Sequence, residues 1–245
     1  MGLTMENYFF ILLFVVAFMY ASVGHGGASG YLALMALMSF DPLFMRHSAL
    51  ILNVFVSLVA FFMFYKGGHF KWKLLWPFIV TSMPMAFVGA GLAIDPPVYK
   101  MILAVCLLLA IFRIVFVIKP VHGQLRDVPL WAALLTGGLI GLVSGFIGIG
   151  GGIILTPVLL LFGWATVKQA AAVSAMFISL NSSAGLIGVP HSLIELDARL
   201  VMMVLVAFSG GLAGSMLGSY RFNLVSLKYI LATVLLLASV KLALL

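Results

Sequence analysis

Apolar runs of about 20 residues recur along the whole chain, separated by short polar breaks at 41–47, 66–73, 95–100, 119–128, 164–169, 190–199 and 220–228. About 20 apolar residues is the length a helix needs to cross the hydrocarbon core of a bilayer. The breaks leave eight long apolar segments, over about 5–40, 48–65, 74–94, 98–118, 129–163, 170–189, 200–219 and 226–245. Two of these are too long for one crossing. At 1.5 Å per residue, 5–40 and 129–163 would each reach roughly 50 Å as a straight helix, against a core of about 30 Å. Each carries a glycine cluster near its middle, Gly24, Gly26 and Gly27 in the first and Gly148, Gly150, Gly151 and Gly152 in the second. The pattern predicts an all-α polytopic membrane protein in which both long segments are broken at glycine. It has eight apolar segments, or up to ten helical segments if both breaks are hairpins.

Composition agrees with that reading. Hydrophobic residues make up 64% of the chain and charged residues only 8%, where a soluble domain carries roughly 25%. The formal charge of +7 comes from bases scattered through short loops, as membrane orientation requires, so it does not point to nucleic acid. The N-terminal MGLTMEN lacks a basic stretch and carries Glu6, which argues against a cleaved leader. Cys106 is the lone cysteine, which leaves neither an internal disulfide nor a cysteine metal cluster.

The two glycine clusters stand in register. Gly24, Gly26 and Gly27 match Gly148, Gly150 and Gly151 at an offset of 124, and KMILAVCLLLA from Lys100 matches KYILATVLLLA from Lys228 at an offset of 128. Two matches in one order indicate an internal duplication, with a first transmembrane repeat over 1–120 and a second over 121–245. Such repeats are common in secondary transporters. Charge bears on their relative orientation. With ten segments, one face of the membrane receives Lys66, Lys71, Lys73, Arg113, Lys119, Arg126, Lys168, Arg221 and Lys228, and the other Arg46, Lys100, Arg199 and Lys241. Eight single crossings would instead make the repeats parallel and split the bases eight against five, so the sharper split, nine against four, favours inverted repeats with both termini outside.

Candidate chemistry lies at the breaks. A helix that starts in mid-membrane presents free N–H groups and the positive end of its dipole, which makes an anion site without lysine. Close helix packing through small residues is the alternative reading of the same glycines. The six acids, and the bases with them, fall in or near loops, so the midplane lacks the carboxylate that a cation carrier usually needs. Its interior polar groups are mild: Ser22, His25, Ser29, Asn53 and Ser57 in the first half, Ser174, Ser179, Asn181, Ser182 and Ser183 in the second. Asn53, Ser174 and Asn181 could hydrogen-bond an oxyanion. His25 is the one titratable side chain placed deep, a candidate for proton coupling; its counterpart in the second half is Ile149. Histidines 47, 69, 122 and 191 are expected in solvated or interfacial positions. The substrate-binding candidates are therefore Gly24, His25, Gly26, Gly27, Asn53, Gly148, Gly150, Gly151, Gly152, Ser174 and Asn181. Pro84, Gly89 and Gly91, and Gly210, Gly211, Gly214 and Gly218, would permit kinks or close helix approach.

The stretch GLVSGFIGIGGGIILTPVLLLFGWATVKQAAAVSAMFISLNSSAGLIG resembles the signature of the sulfite exporter TauE/SafE family: a GxGGG cluster, a proline five to six residues on, and an alanine-rich approach to a serine-containing span. The first half, GHGGASGYLALMAL, keeps Gly26 and Gly27 but has Ala28 for the third glycine and Ala33 where Pro157 stands. The resemblance covers essentially the whole chain. It implies a non-enzymatic transporter of a small sulfur-containing anion such as sulfite or a sulfonate. It also implies a plasma (inner) membrane location in a bacterium or archaeon, and no cofactor. The partners implied are the anionic solute and the lipid bilayer, with a homo-oligomer left open. The 14 methionines raise an alternative, a soft-metal (copper) transporter or a respiratory-complex assembly factor.

Overall fold

A computed structural model describes residues 5–93, 95–115, 125–190, 197–220, 236 and 239–241. These residues form nine helices: α1 Met5–Ser22, α2 Ala28–Leu37, α3 Pro42–Lys66, α4 Trp72–Gly91, α5 Pro96–Val115, α6 Leu130–Ile147, α7 Gly152–Leu161, α8 Val167–Gly188 and α9 Ala198–Tyr220. Five of them, α3, α4, α6, α8 and α9, are long and apolar enough to cross a bilayer. The matched sequence from Lys228 lies mostly outside the described residues.

Each overlong apolar segment is two helices, and in both the chain turns back. Past the first break, Ser29 of α2 hydrogen-bonds Tyr20 of α1. Further on, the ring of Phe40 stacks on Phe9 at 5.5 Å between centroids. The two ends of the segment therefore lie at the same end of the bundle. Past the second break the Arg126 N–H donates to the Gly163 carbonyl at 2.9 Å, so α6 and α7 form a second hairpin. Its returning end packs Trp164 on Phe78 of α4.

Local chemistry sets the helix ends. Asp41 caps α3, accepting from the N–H groups of Leu43 and Phe44, with Pro42 at the first helical position. That cap starts the helix well before the end of the polar stretch 41–47. Arg46 and His47, expected in a loop and at an interface, are instead buried in the second turn of α3. Thr166 and Gln169 form a reciprocal capping box at the start of α8, a sequence-readable stop between hairpin and span.

The helices interlock across the chain. α1 packs along α9, α6 along α4, and α3 and α8 lie together in the middle. One core joins α1, α2, α3 and α5 with part of α9, and another joins α4, α6, α7 and α8. Glycine stripes bring the outer pairs to backbone contact. Cβ atoms at Gly137, Gly141 and Gly145 of α6 would overlap the backbone of Phe78, Ser82 and Ala86 of α4. Those at Gly210, Gly214 and Gly218 of α9 would overlap the carbonyls of Phe14, Phe18 and Ser22 of α1. Lipid tails are as apolar as leucine, so helices in a membrane associate through such close fits rather than through the hydrophobic effect. Leu135, Leu139, Val105 and Leu109 point outward, where lipid would cover them.

Candidate functional site

The two hairpin tips meet beside the centres of α3 and α8. Gly27 closes the first tip at φ 92° and is the N-cap of α2. Gly151 closes the second at φ 79° and is the N-cap of α7. Side chains rarely tolerate this left-handed conformation, and glycine adopts it freely. Neither helix start has a side-chain cap, so the positive end of each short helix is left to whatever enters the tip region.

Between the tips lies Asn53 of α3, 0% exposed. A Cβ at Gly26 would stand 2.5 Å from its Oδ1, and one at Gly150 would stand 2.9 Å from its Nδ2. The absent side chains of these two glycines are what let both tips approach the amide. Neither the oxygen nor the nitrogen of that amide has a hydrogen-bond partner. The Ser182 Oγ, 2.9 Å from the same Gly150 position, is likewise buried and unpartnered. Leaving such a group unpaired costs about 1–3 kcal/mol. Several of them at one place call for a partner from outside the chain, a water or a ligand.

His25 sits at the first tip, 1% exposed. Its Nδ1 lies 2.9 Å from the Val23 carbonyl, which can only accept, so Nδ1 carries a proton. Its Nε2 lies 2.9 Å from Thr156 Oγ1 of α7, and Thr156 Oγ1 lies 2.7 Å from Ser174 Oγ of α8. This makes a three-residue chain across the two hairpin systems. With a neutral imidazole the Thr156 hydroxyl donates to Nε2 and accepts from Ser174. With an imidazolium, Nε2–H donates to Thr156, whose hydroxyl is then released to donate to Ser174. The direction of the His25–Thr156 bond is thus tied to one proton on His25.

The other residues singled out from the sequence fall into two groups. Gly24 and Gly148 serve as packing points: Cβ atoms there would press on Ala171 of α8 at 2.6 Å and on the Arg46 carbonyl of α3 at 2.9 Å. Gly152 faces Ile178. Asn181 donates from Nδ2 to Phe177 in its own helix at 2.9 Å, while its Oδ1 is buried without a partner. Thr156 and Ser182 join the site without having been singled out as ligands. Each had a signal: Thr156 stands four residues into the helix after the glycine cluster, and Ser182 follows Asn181. His122 and His191 lie outside the described residues.

The fold and this interior define a polytopic helical membrane protein whose polar centre is built from two opposed hairpin tips. The chain belongs to the sulfite exporter TauE/SafE family, whose model matches residues 9–242. It is 36% identical over 242 residues to "Probable membrane transporter protein y4hK" of Sinorhizobium fredii, covering 95% of this chain and 96% of that one. It is 29% identical over 137 residues to "Probable membrane transporter protein MJ0441" of Methanocaldococcus jannaschii, covering 54% of this chain and 50% of that one. No solved structure matches the chain.

Proposed function

We propose that the protein is a secondary transporter that moves a small sulfur-containing anion, sulfite or a sulfonate, across the plasma membrane by alternating access. The observation that carries this reading is the buried, unpartnered amide of Asn53 between Gly26 and Gly150, beside two uncapped helix starts. An oxyanion placed there would accept from Asn53 Nδ2, from Ser182 and from the first N–H groups of α2 and α7, and would lie at the positive ends of both dipoles. Described acids Asp41, Asp95, Asp127 and Asp197 are all exposed, so they set up no repulsion at this depth. Sulfur itself rests on the family, not on the geometry.

The same reading takes 1–120 and 121–245 as inverted repeats. In its support, α1 and α6 are each 18 residues long and α2 and α7 each 10. Gly24 and Gly27 share positive φ with Gly148 and Gly151. The packing of α1 on α9 mirrors that of α6 on α4. A hairpin plus three crossings is an odd unit, which inverts the next one. Rocking of one unit against the other would open the tip region to alternate faces. His25, through Thr156 and Ser174, would carry the coupled proton.

Exposed charge supports the orientation. Lys66, Lys71, Lys73, Arg126 and Lys168 are all exposed at one face. At the other, Arg46 is buried, Lys100 is half-buried, Arg199 covers the Phe40 ring at 4.4 Å, and Lys241 donates to the Leu37 carbonyl at 2.8 Å. The face with more exposed bases is the cytoplasmic one by the positive-inside rule. The deciding experiment is uptake by reconstituted protein across labelled sulfite, thiosulfate and sulfonates. Uptake of none of them would end this reading.

A further inference from the structure

Among the described residues Arg46 is a charged group with no counter-charge. It is 3% exposed, and among the described residues no carboxylate pairs with it. Its Nη2 donates to the carbonyls of Gly89, at 3.2 Å, and Ala90, the last turn of α4. Its Nε is buried and has no partner. Charged side chains inside a membrane domain are costly and are kept for function. A helix C-terminus offers only about half a negative charge, so two carbonyls hold the guanidinium without neutralising it.

Its position in the helix is the second observation. Arg46, Asn53 and Ser57 are separated by seven and then four residues, so they lie along one stripe of α3, and each has an unpartnered buried atom. Two helical turns, about 10 Å, separate Arg46 from Asn53 along the axis. Arg46 also flanks the second hairpin tip: a Cβ at Gly148 would stand 3.3 Å from its Cγ. The preceding residue of that tip, Ile147, is held through its carbonyl by the Tyr99 hydroxyl at 3.1 Å. The stripe thus runs from the centre toward the face that carries Asp41 and Lys241.

We infer that Arg46 is a second oxyanion station, set between the central site and the face opposite the free lysines. There the planar fork receives a sulfonate or sulfite, bidentate through Nε and Nη2. In the present conformation the α4 carbonyls hold the guanidinium in place of the anion, and an arriving oxyanion displaces them. The inference rests on the anion-transport reading and adds to it a charged residue about 10 Å from the tips.

The test uses proteoliposomes with labelled sulfite and methanesulfonate. Wild type, R46K and R46Q are compared for KM and maximal rate, with melting temperature measured alongside. R46Q is expected to raise KM by about tenfold or more, the loss of one charged hydrogen-bonded contact, and R46K by less. If wild type carries an anion and R46Q has the same KM, the station is wrong and the transport reading stands. If wild type carries neither anion nor thiosulfate, both fall. A melting temperature that drops with KM unchanged assigns Arg46 to pinning α4 and overturns the inference. Should the variants not fold, wild-type protein answers through phenylglyoxal modification read by peptide mass spectrometry. Methanesulfonate or sulfite is expected to protect Arg46. Equal labelling with and without anion, or none in either case, overturns the inference.

Discussion

His25 Nε2 stands 2.9 Å from Thr156 Oγ1, although the two residues are 131 positions apart. One lies at the first hairpin tip and the other a turn into the helix that leaves the second. The bond therefore spans the surfaces that would have to part if one half moved against the other. Thr156→Val keeps the shape and removes the hydroxyl. It leaves His25 Nε2 and Ser174 Oγ with one partner fewer, a cost of about 1–3 kcal/mol. We expect a melting temperature several degrees lower for T156V and near wild type for T156S. Equal melting temperatures for all three would mean that the bridge contributes nothing.

His25 bears on pH through a definite sign. A protonated imidazole beside an anion site strengthens binding, so proton-coupled uptake should be faster at low pH than at high pH. Methanesulfonate keeps one negative charge at every assay pH, so its own titration does not intrude. H25Q is expected to flatten the profile. A variant with the wild-type pH dependence would remove His25 from the coupling scheme.

Asn53 predicts a trade of activity for stability. Leucine is close to asparagine in shape and needs no hydrogen bonds. N53L should raise the melting temperature by removing two unpartnered polar atoms, while anion uptake falls about tenfold or more. A stable variant with full uptake would show that the amide is not a ligand. N53D places a carboxylate between the tips and should abolish uptake by repulsion.

Much of the fold was legible from spacing. Two runs too long for one crossing, each with glycines at its centre, identified both breaks, because a straight helix cannot fit roughly 50 Å into a 30 Å core. Asn53, His25 and Ser174 stood out because polar residues are rare in such runs. Arg46 and His47 were misplaced for a physical reason. Hydropathy reads a polar pair close after Asp41 and Pro42 as a loop, whereas that same Asp-Pro pair caps a helix and draws both residues into it. The bridge from His25 to Thr156 had no local signal, since it depends on how two distant hairpins meet.

The glycine stripe of α6 gives a contrast between neighbours. A Cβ at Gly141 would overlap the Ser82 backbone of α4, whereas one at Gly138 would stand 3.7 Å from the Thr81 Cβ, an ordinary contact. G141A should force α4 and α6 apart and lower stability by about 1–3 kcal/mol. G138A should be neutral or slightly stabilising, as expected for alanine against glycine in a helix. Gel-filtration profiles and melting curves of the two proteins in detergent separate them. Equal stability would mean that α4 and α6 do not meet through this stripe.

The orientation can be tested without transport. The turn between α3 and α4 carries exposed Lys66 and Lys71, and the positive-inside rule puts it in the cytoplasm. Asp95, before α5, is exposed and lies one crossing away, at the opposite face. Cysteines are introduced singly at Lys71 and Asp95 in a protein whose buried Cys106 has been changed to serine. In intact cells a membrane-impermeant maleimide should label the D95C protein and not the K71C protein. Inside-out vesicles should reverse the pattern. Labelling of K71C from outside would invert the assigned topology. Arg46 lies at the face of Asp95, because α4 runs from the Lys71 turn to the carbonyls that hold its guanidinium. The same two cysteines therefore decide which compartment the Arg46 station faces.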